Sequence, residues 1–199
     1  VVEIDRAART ATFTVKAPTG PQPSDIAAIE TAAADWYPLQ LARELEDAIL
    51  SMRTNELEIG TWLIKTSGDA AAVRAMDATL LAHRQHWLVR ETIGYMRRTL
   101  SRLDVSSRSL FALIEPGSCF AGTLFELALA CDRSYQLALP DDAAAAPTLR
   151  VDEGNFGLYP MATGQSRLAR RFYGEACALD AVRATIGERK KLLSGKGPC

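Results

Sequence analysis

One glutamate, Glu126, lies in a stretch of the chain that is otherwise almost entirely apolar. The segment from Ser109 to Asp132 has the sequence SLFALIEPGSCFAGTLFELALACD. A carboxyl group buried in such a helix has a raised pKa, so it can exchange a proton near neutral pH. The turn before the helix contains Gly117 and Gly122, and the helix start presents unpaired backbone N–H groups. Such groups suit the negative charge of an enolate or acyl oxyanion.

This candidate site needs a buried strand and a buried helix to position it. The run from Leu110 to Ile114 is continuously apolar and predicts a strand covered on both faces. Pro116 and Gly117 predict a sharp turn. From Ala121 to Ala130 the residues are apolar on nearly every side, which predicts a helix inside the core.

The residues before this segment predict one hairpin and a further α/β unit. Val2 to Ile4 and Thr12 to Val15 indicate a β-hairpin, and a loop with three prolines follows. Ser24 and Asp25 are candidate caps for a short helix. The remaining predicted elements are an amphipathic helix from Pro38 to about Arg53, a strand over 60–66, a turn at 67–69 and an almost continuous helix from Ala70 to about Leu103.

The residues after the apolar helix predict shorter elements. They are a strand from Arg133 to Leu139, a low-complexity loop over 140–147, a short strand from Thr148 to Val151 and a helix from about Thr163 to Tyr173. Strands and helices that alternate in this way predict an α/β fold with a largely parallel sheet. The tail 184–199 is basic and glycine-rich and is predicted to be disordered or truncated, so the domain is expected to span 1–183.

The segment GSCFAGTLFELALACD resembles the second oxyanion loop and helix of the crotonase (enoyl-CoA hydratase/isomerase) superfamily. The resemblance implies the crotonase-like (ClpP/crotonase) spiral of ββα units, incomplete at its C-terminal end. Together with DEGNFGLYPMATGQSRLARRFYGE, the segment is similar to the C-terminal half of a two-halved, ring-opening branch of the superfamily. That branch implies an acyl-CoA lyase or hydrolase that opens a 2,3-epoxy- or dihydrodiol-benzoyl-CoA ring during aerobic benzoate degradation.

The resemblance also implies which residues would do the chemistry. Glu126 and Glu153 match the paired carboxylates that flank the thioester, one moving a proton while the other, in the opposite protonation state, delivers one. Gly122 and Thr123 match the oxyanion-binding turn. No metal or redox cofactor is implied, because the coenzyme A thioester is the substrate. The implied partners are a second, N-terminal crotonase-like half and further copies of the chain.

Two departures from the superfamily pattern favour a different role. A Gly-Ala-Asp turn that normally supplies the first oxyanion donor is replaced by TSGDAAAVRAMD. The second donor, normally a glycine, falls at Thr123, whose side chain narrows the approach of a thioester. The alternative hypothesis is therefore a non-catalytic structural or dimerisation domain whose partner half carries the active site. Asp152 beside Glu153 also fits a solvated acidic turn.

Composition excludes several other classes of protein. Apolar residues make up 48% of the 199 residues, charged residues 24%, and the formal charge of −1 argues against a nucleic-acid binder. No apolar run approaches the ~20 residues that span a bilayer, so the expected location is the cytoplasm. The four cysteines form no CxxC pair, and His83 and His86 have no third ligand, so no metal site is expected. The candidate coenzyme A phosphate contacts, more often surface charges, are Arg97, Arg98, Arg167, Arg170 and Arg171.

Overall fold

The computed structural model describes residues 1–142, 145–186 and 188–190. The strands of this part of the chain are β1 (Val2–Asp5), β2 (Thr10–Lys16), β3 (Thr61–Ser67), β4 (Ser109–Ile114), β5 (Arg133–Gln136), β6 (Leu149–Arg150) and β7 (Arg189–Lys190). Its α-helices are α1 (Ile26–Ala32), α2 (Tyr37–Asn55), α3 (Ala70–Ala82), α4 (Trp87–Asp104), α5 (Gly122–Ala130), α6 (Arg167–Arg171) and α7 (Ala176–Arg183). Two 3-10 helices cover Ala33–Asp35 and Glu153–Phe156.

Five strands form one sheet in the order β1-β2-β3-β4-β5. β1 and β2 are the predicted antiparallel hairpin, whereas β2, β3, β4 and β5 run parallel to one another. β6 and β7 form a separate antiparallel pair. The predicted α/β fold with a largely parallel sheet is confirmed.

Alternate residues of the central strands face the core. In β3, Trp62 and Ile64 are at most 1% exposed, while Leu63 between them is partly exposed. Trp62 packs against Phe13 of β2, with ring centroids 4.9 Å apart. Period-two alternation of this kind places one face of the sheet under the helices. This core fixes the end of β4, from which the chain turns into α5.

The stretch over 70–103, predicted to be helical almost throughout, is helical except at 83–86, where the chain breaks between α3 and α4. His83 ends α3, and its ring lies 3.0 Å from the backbone oxygen of Ser24. His86 then precedes the first turn of α4. The apolar stripe continues in both helices, which is why the sequence pattern alone does not reveal the turn.

Several predicted elements are present but shorter than expected. Asp25 caps α1 by accepting a hydrogen bond from the Ala28 N–H, as predicted. β5 ends at Gln136, and α6 begins only after Ser166, which accepts from the Ala169 N–H. Within the tail predicted to be disordered, Arg189–Lys190 pair with Leu149–Arg150, while residues 187 and 191–199 lie outside the described residues. Across the described ranges, no helix combines the length and apolarity needed to cross a membrane.

Candidate functional site

Helix α5 is held inside the protein by the turn that precedes it. The Cys119 N–H donates to the hydroxyl of Thr66 in β3 at 2.9 Å, and the Glu115 N–H donates to Ser118 Oγ at 3.0 Å. These bonds satisfy backbone groups that leave the sheet at the end of β4. All residues from Gly122 to Ala128 are buried, as the apolar sequence predicts. Glu126 therefore lies in the core.

Gly122 allows α3 to approach the start of α5 very closely. Its φ of +44° lies in the left-handed region that favours glycine. A β-carbon at this position would lie 1.7 Å from Oδ2 of Asp77, a residue of α3. Any side chain at residue 122 would thus displace the Asp77 carboxyl group.

The backbone N–H of Thr123 already donates a hydrogen bond to the Asp77 carboxyl group. Asp77 Oδ2 accepts from the Thr123 backbone N–H at 2.8 Å, and Oδ1 accepts from the Thr123 hydroxyl at 2.5 Å. The Tyr159 hydroxyl lies 2.9 Å from the same threonine oxygen. Asp77 is 4% exposed, and burial raises its pKa to about 7. The N–H that the sequence suggests as an oxyanion donor therefore already has a carboxylate acceptor from within the chain.

Glu126 is buried and has two partners. Its Oε1 accepts from Asn155 Nδ2 at 2.7 Å, and its Oε2 accepts from Arg167 Nη1 at 3.2 Å. The other two guanidinium nitrogen atoms of Arg167 donate to Asp104, with Nε–Oδ1 at 3.1 Å and Nη2–Oδ2 at 2.7 Å. Burial raises the Glu126 pKa to about 7, although Asn155 and Arg167 act to lower it. Glu126 thus has the raised pKa that the sequence predicts.

Glu153 lies in a different environment from Glu126. It is the first residue of the second 3-10 helix and is exposed to solvent. The neighbouring Asp152 is the residue that turns inward, with 8% exposure, and it accepts from Arg74 Nε at 3.0 Å. The expected solvated acidic turn is therefore half right, since it describes Glu153 but not Asp152. The catalytic role predicted for Glu126 and Glu153 stays a prediction.

The buried and half-buried polar groups around the start of α5 form one set, here called the α5 cluster. It consists of Asp77, Asp104, Asp152, Glu126, Arg74, Arg167, Thr123, Asn155 and Tyr159. Arg167 was expected at the surface but is 2% exposed, so that expectation is wrong. Asp77 was missed by the sequence reasoning. It lies on the same face of α3 as the buried Val73 and Leu80. This helical spacing is the feature of the sequence that indicates a buried Asp77.

Within the described residues, the histidines and the cysteine on the turn before α5, Cys119, do not form a second site. Among the residues that the structure describes, no three His, Cys, Asp or Glu side chains are arranged to hold a metal ion. Cys119 is 1% exposed, and burial raises the pKa of its thiol. An open cleft of about 530 Å³ lies at the ends of β2 and β3, between residues 16–20 and 67–69. None of the four predicted site residues lines it.

Solved structures with similar folds are enoyl-CoA hydratases. The enzyme from Geobacillus kaustophilus HTA426 matches with a TM-score of 0.52 and 19% identity, over 95% of this chain and 61% of that chain. The enzyme from Bacillus halodurans matches with a TM-score of 0.52 and 17% identity, over 96% of this chain and 73% of that chain. The chain has the crotonase fold. The fold class predicted from the sequence is therefore confirmed.

The sequence itself is similar to one curated lyase. It is 54% identical over 184 residues to the benzoyl-CoA-dihydrodiol lyase of Aromatoleum evansii. The match covers 92% of this chain and 33% of the relative, so the chain spans about a third of the relative's length. No protein-family model matches the chain. The predicted resemblance is confirmed, whereas the assignment to the C-terminal half of such a lyase stays a prediction.

Proposed function

We propose that this chain is a crotonase-fold unit of a cytoplasmic acyl-CoA lyase that opens the dearomatised ring of 2,3-epoxy- or dihydrodiol-benzoyl-CoA. The identity of 54% to a benzoyl-CoA-dihydrodiol lyase supports this assignment. Within that enzyme the unit completes the fold or the oligomer, and the remaining part of the lyase carries out the thioester chemistry. No metal or redox cofactor belongs to the proposal.

One contact supports the structural role most strongly. An enolate oxygen would need the Thr123 N–H as a free donor about 2.7–3.1 Å away. That N–H instead donates to Asp77 Oδ2 at 2.8 Å. Asp77 Oδ2 therefore occupies the place beside this N–H that a thioester oxygen would need.

A second candidate function is catalysis by this unit itself. The observation that favours it is the pKa of Glu126, which burial raises to about 7. Carboxyl groups with such values are effective proton donors and acceptors near neutral pH. This function requires Asp77 to leave the Thr123 N–H and Glu126 to separate from Arg167 when acyl-CoA binds.

A chimera separates the two functions. In the Aromatoleum evansii lyase, this chain would replace the matching segment, and ring opening would be compared with the unaltered lyase. We expect the chimera to be active and the Glu126→Gln change in it to lower the rate less than about 10-fold. A general acid or base contributes about 10²–10⁴-fold. A loss of that size from Glu126→Gln, in a chimera whose unfolding temperature is unchanged, would support catalysis by this unit.

Binding by the purified chain provides an independent measurement. Titration calorimetry would compare benzoyl-CoA with free coenzyme A, using the wild-type chain and the Glu126→Gln variant. We expect no heat that depends on the benzoyl group. Saturable binding of benzoyl-CoA alone, weakened in the variant, would contradict the structural role.

A further inference from the structure

The α5 cluster contains more acidic than basic side chains. Its four carboxyl groups belong to Asp77, Asp104, Asp152 and Glu126, whereas Arg74 and Arg167 supply the two guanidinium groups. All four carboxyl-bearing residues lie in or at the edge of the core. An isolated carboxylate is strongly disfavoured there unless it is paired or takes up a proton. The way in which the two cations are shared therefore decides which acids lack a partner.

Each arginine is committed mainly to one carboxylate. Arg167 uses Nε and Nη2 for a two-pronged contact with Asp104 and leaves only Nη1, at 3.2 Å, for Glu126. That Nη1 also donates to the backbone oxygen of Tyr159 at 3.1 Å. Two-pronged contacts between arginine and a carboxylate are the stronger kind. Glu126 is consequently the less well compensated partner of Arg167.

Asp77 has no cation partner among the residues that the structure describes. Arg74, on the same helix, directs its Nε to both oxygens of Asp152, at 3.0 and 3.3 Å. The groups that bond or electrostatically couple to Asp77 are Thr123 of α5, the hydroxyl groups of Tyr37 and Tyr159, and the carboxyl groups of Asp152 and Glu126. All of these groups are neutral or acidic, and Thr123 donates hydrogen bonds to both Asp77 carboxyl oxygens. Asp77 is thus the second carboxyl group without a compensating charge.

We propose that the α5 cluster takes up protons when the chain folds, so that the folded chain becomes more stable on acidification and less stable as the solution becomes alkaline. The two proton-binding groups are Asp77 and Glu126. Protonation converts each carboxylate to a neutral carboxyl group, and the proton comes from the solvent. This property belongs to the folded chain alone and does not depend on acyl-CoA binding.

The direction of the pH effect follows from the shifted groups. Burial raises the pKa of Asp77 from 3.8 to about 7 and that of Glu126 from 4.5 to about 7. A carboxyl group with a raised pKa in the folded state stabilises that state fully only below its unfolded pKa. The stabilisation then decreases as the pH rises and is lost above about 7. The free energy of unfolding should therefore fall between about pH 4 and pH 7.

The proposal is tested by urea unfolding of the complete chain from pH 5 to pH 8. For the wild type, we expect the pH dependence to correspond to an uptake of up to about two protons on folding. Asp77→Asn, which keeps an acceptor for the Thr123 N–H, should remove about one of them. Glu46→Gln is the matched control, because the Glu46 pKa is lowered to about 2 and the group does not titrate in this range. Equal pH dependence in the wild type and Asp77→Asn would overturn the proposal.

A second measurement needs no variant. The side-chain carboxyl carbon of Asp77, assigned through its bonds in an isotope-labelled wild-type sample, would be followed by NMR as a function of pH. We expect a titration midpoint near 7, in contrast to the ordinary value of 3.8. A midpoint near the ordinary value would overturn the proposal even if Asp77→Asn fails to fold.

Discussion

Two glutamates of this chain each pair with arginine, yet their pKa values shift in opposite directions. Glu46 of α2 accepts from Arg98 at 3.2 Å and from Arg102 at 2.8 Å, both residues of α4. Burial acts to raise the Glu46 pKa, but hydrogen bonds from Tyr95, Arg102 and Arg98 outweigh it and lower the pKa to about 2. The Glu126 pKa, by contrast, is raised to about 7.

The number of cations per carboxylate and the access of water explain the difference. Glu46 has two arginines, whose side chains are 60% and 33% exposed, so each remains partly hydrated. Glu126 shares one arginine with Asp104, and the side chains of Glu126 and Arg167 are both 2% exposed. An arginine contact therefore does not by itself keep a carboxyl group ionised. The arginines that pair with Glu46 between α2 and α4 are partly exposed, whereas the Glu126–Arg167–Asp104 part of the α5 cluster is largely buried and has one cation for two carboxyl groups.

Removal of Arg167 is expected to lower the free energy of unfolding more than any other change considered for these two glutamates. Arg167→Met leaves Asp104 and Glu126 buried without their shared cation, which should cost about 3–5 kcal/mol in the free energy of unfolding. Arg170→Met, three residues along α6 and exposed, is the matched control and should change stability by less than about 0.5 kcal/mol. Urea unfolding at pH 7.5 would measure both. Similar losses of unfolding free energy in the two variants would show that Asp104 and Glu126 do not depend on Arg167 for compensation.

Two glycines provide the next test, Gly122 at the start of α5 and Gly94 in α4, which carries the arginines that pair with Glu46. Gly122→Ala places a β-carbon 1.7 Å from Asp77 Oδ2 and puts alanine in a backbone conformation, φ of +44°, that favours glycine. We therefore expect the free energy of unfolding to fall by roughly 1–3 kcal/mol. Gly94 lies within α4 with no atom within 4 Å of an added β-carbon. Gly94→Ala should therefore stabilise the chain by about 0.5–1 kcal/mol. Thermal unfolding of both variants measures this contrast, and a tolerated Gly122→Ala would mean that Asp77 is easily displaced.

Removal of the Glu46 charge should have a smaller effect that depends on pH in the opposite sense to the α5 cluster. Because the Glu46 pKa is lowered from 4.5 to about 2, its stabilisation is present above pH 4.5 and is lost as the pH falls through 2. Glu46→Gln should cost about 1 kcal/mol at pH 7. The difference between variant and wild type should shrink progressively below pH 4.5. A difference that grows on acidification would contradict the assignment.

The smallest effect is expected at Glu153. Its side chain is exposed, so Glu153→Gln should change stability by less than about 0.5 kcal/mol. If the unit has a structural role, ring opening by the chimera should also remain within about twofold of its starting rate. A loss approaching the ~10²-fold that a general acid or base contributes would restore Glu153 as a catalytic candidate.

Much of the fold could be predicted from the sequence because its signals are local. The apolar run before Pro116 and the apolar helix around Glu126 predict β4 and α5, and the resemblance to crotonases predicts how the units assemble. The place of the break between α3 and α4 was not predicted, and at this break the His83 ring contacts Ser24, which lies far away in the sequence. A helical stripe carries no information about such a distant contact.

The candidate site was harder to predict because its partners come from separate elements. The sequence indicates that Glu126 is buried, but it does not show that Asn155 and Arg167 compensate it. Asp77 has the helical phase of a core residue, yet its proximity to Thr123 depends on how α3 packs against α5. Long-range pairing of polar groups, in contrast to local periodicity, leaves little trace in a single sequence.

Asp77 Oδ2 occupies the acceptor position beside the Thr123 N–H, where an oxyanion would have to bind. The backbone amide signal of Thr123, followed by NMR while the labelled chain is titrated with benzoyl-CoA, tests this directly, and free coenzyme A is the control. We predict that the Thr123 signal stays unchanged with both compounds, because its N–H already donates to Asp77. A saturable shift caused by benzoyl-CoA alone would show that a thioester displaces Asp77 and would contradict the account.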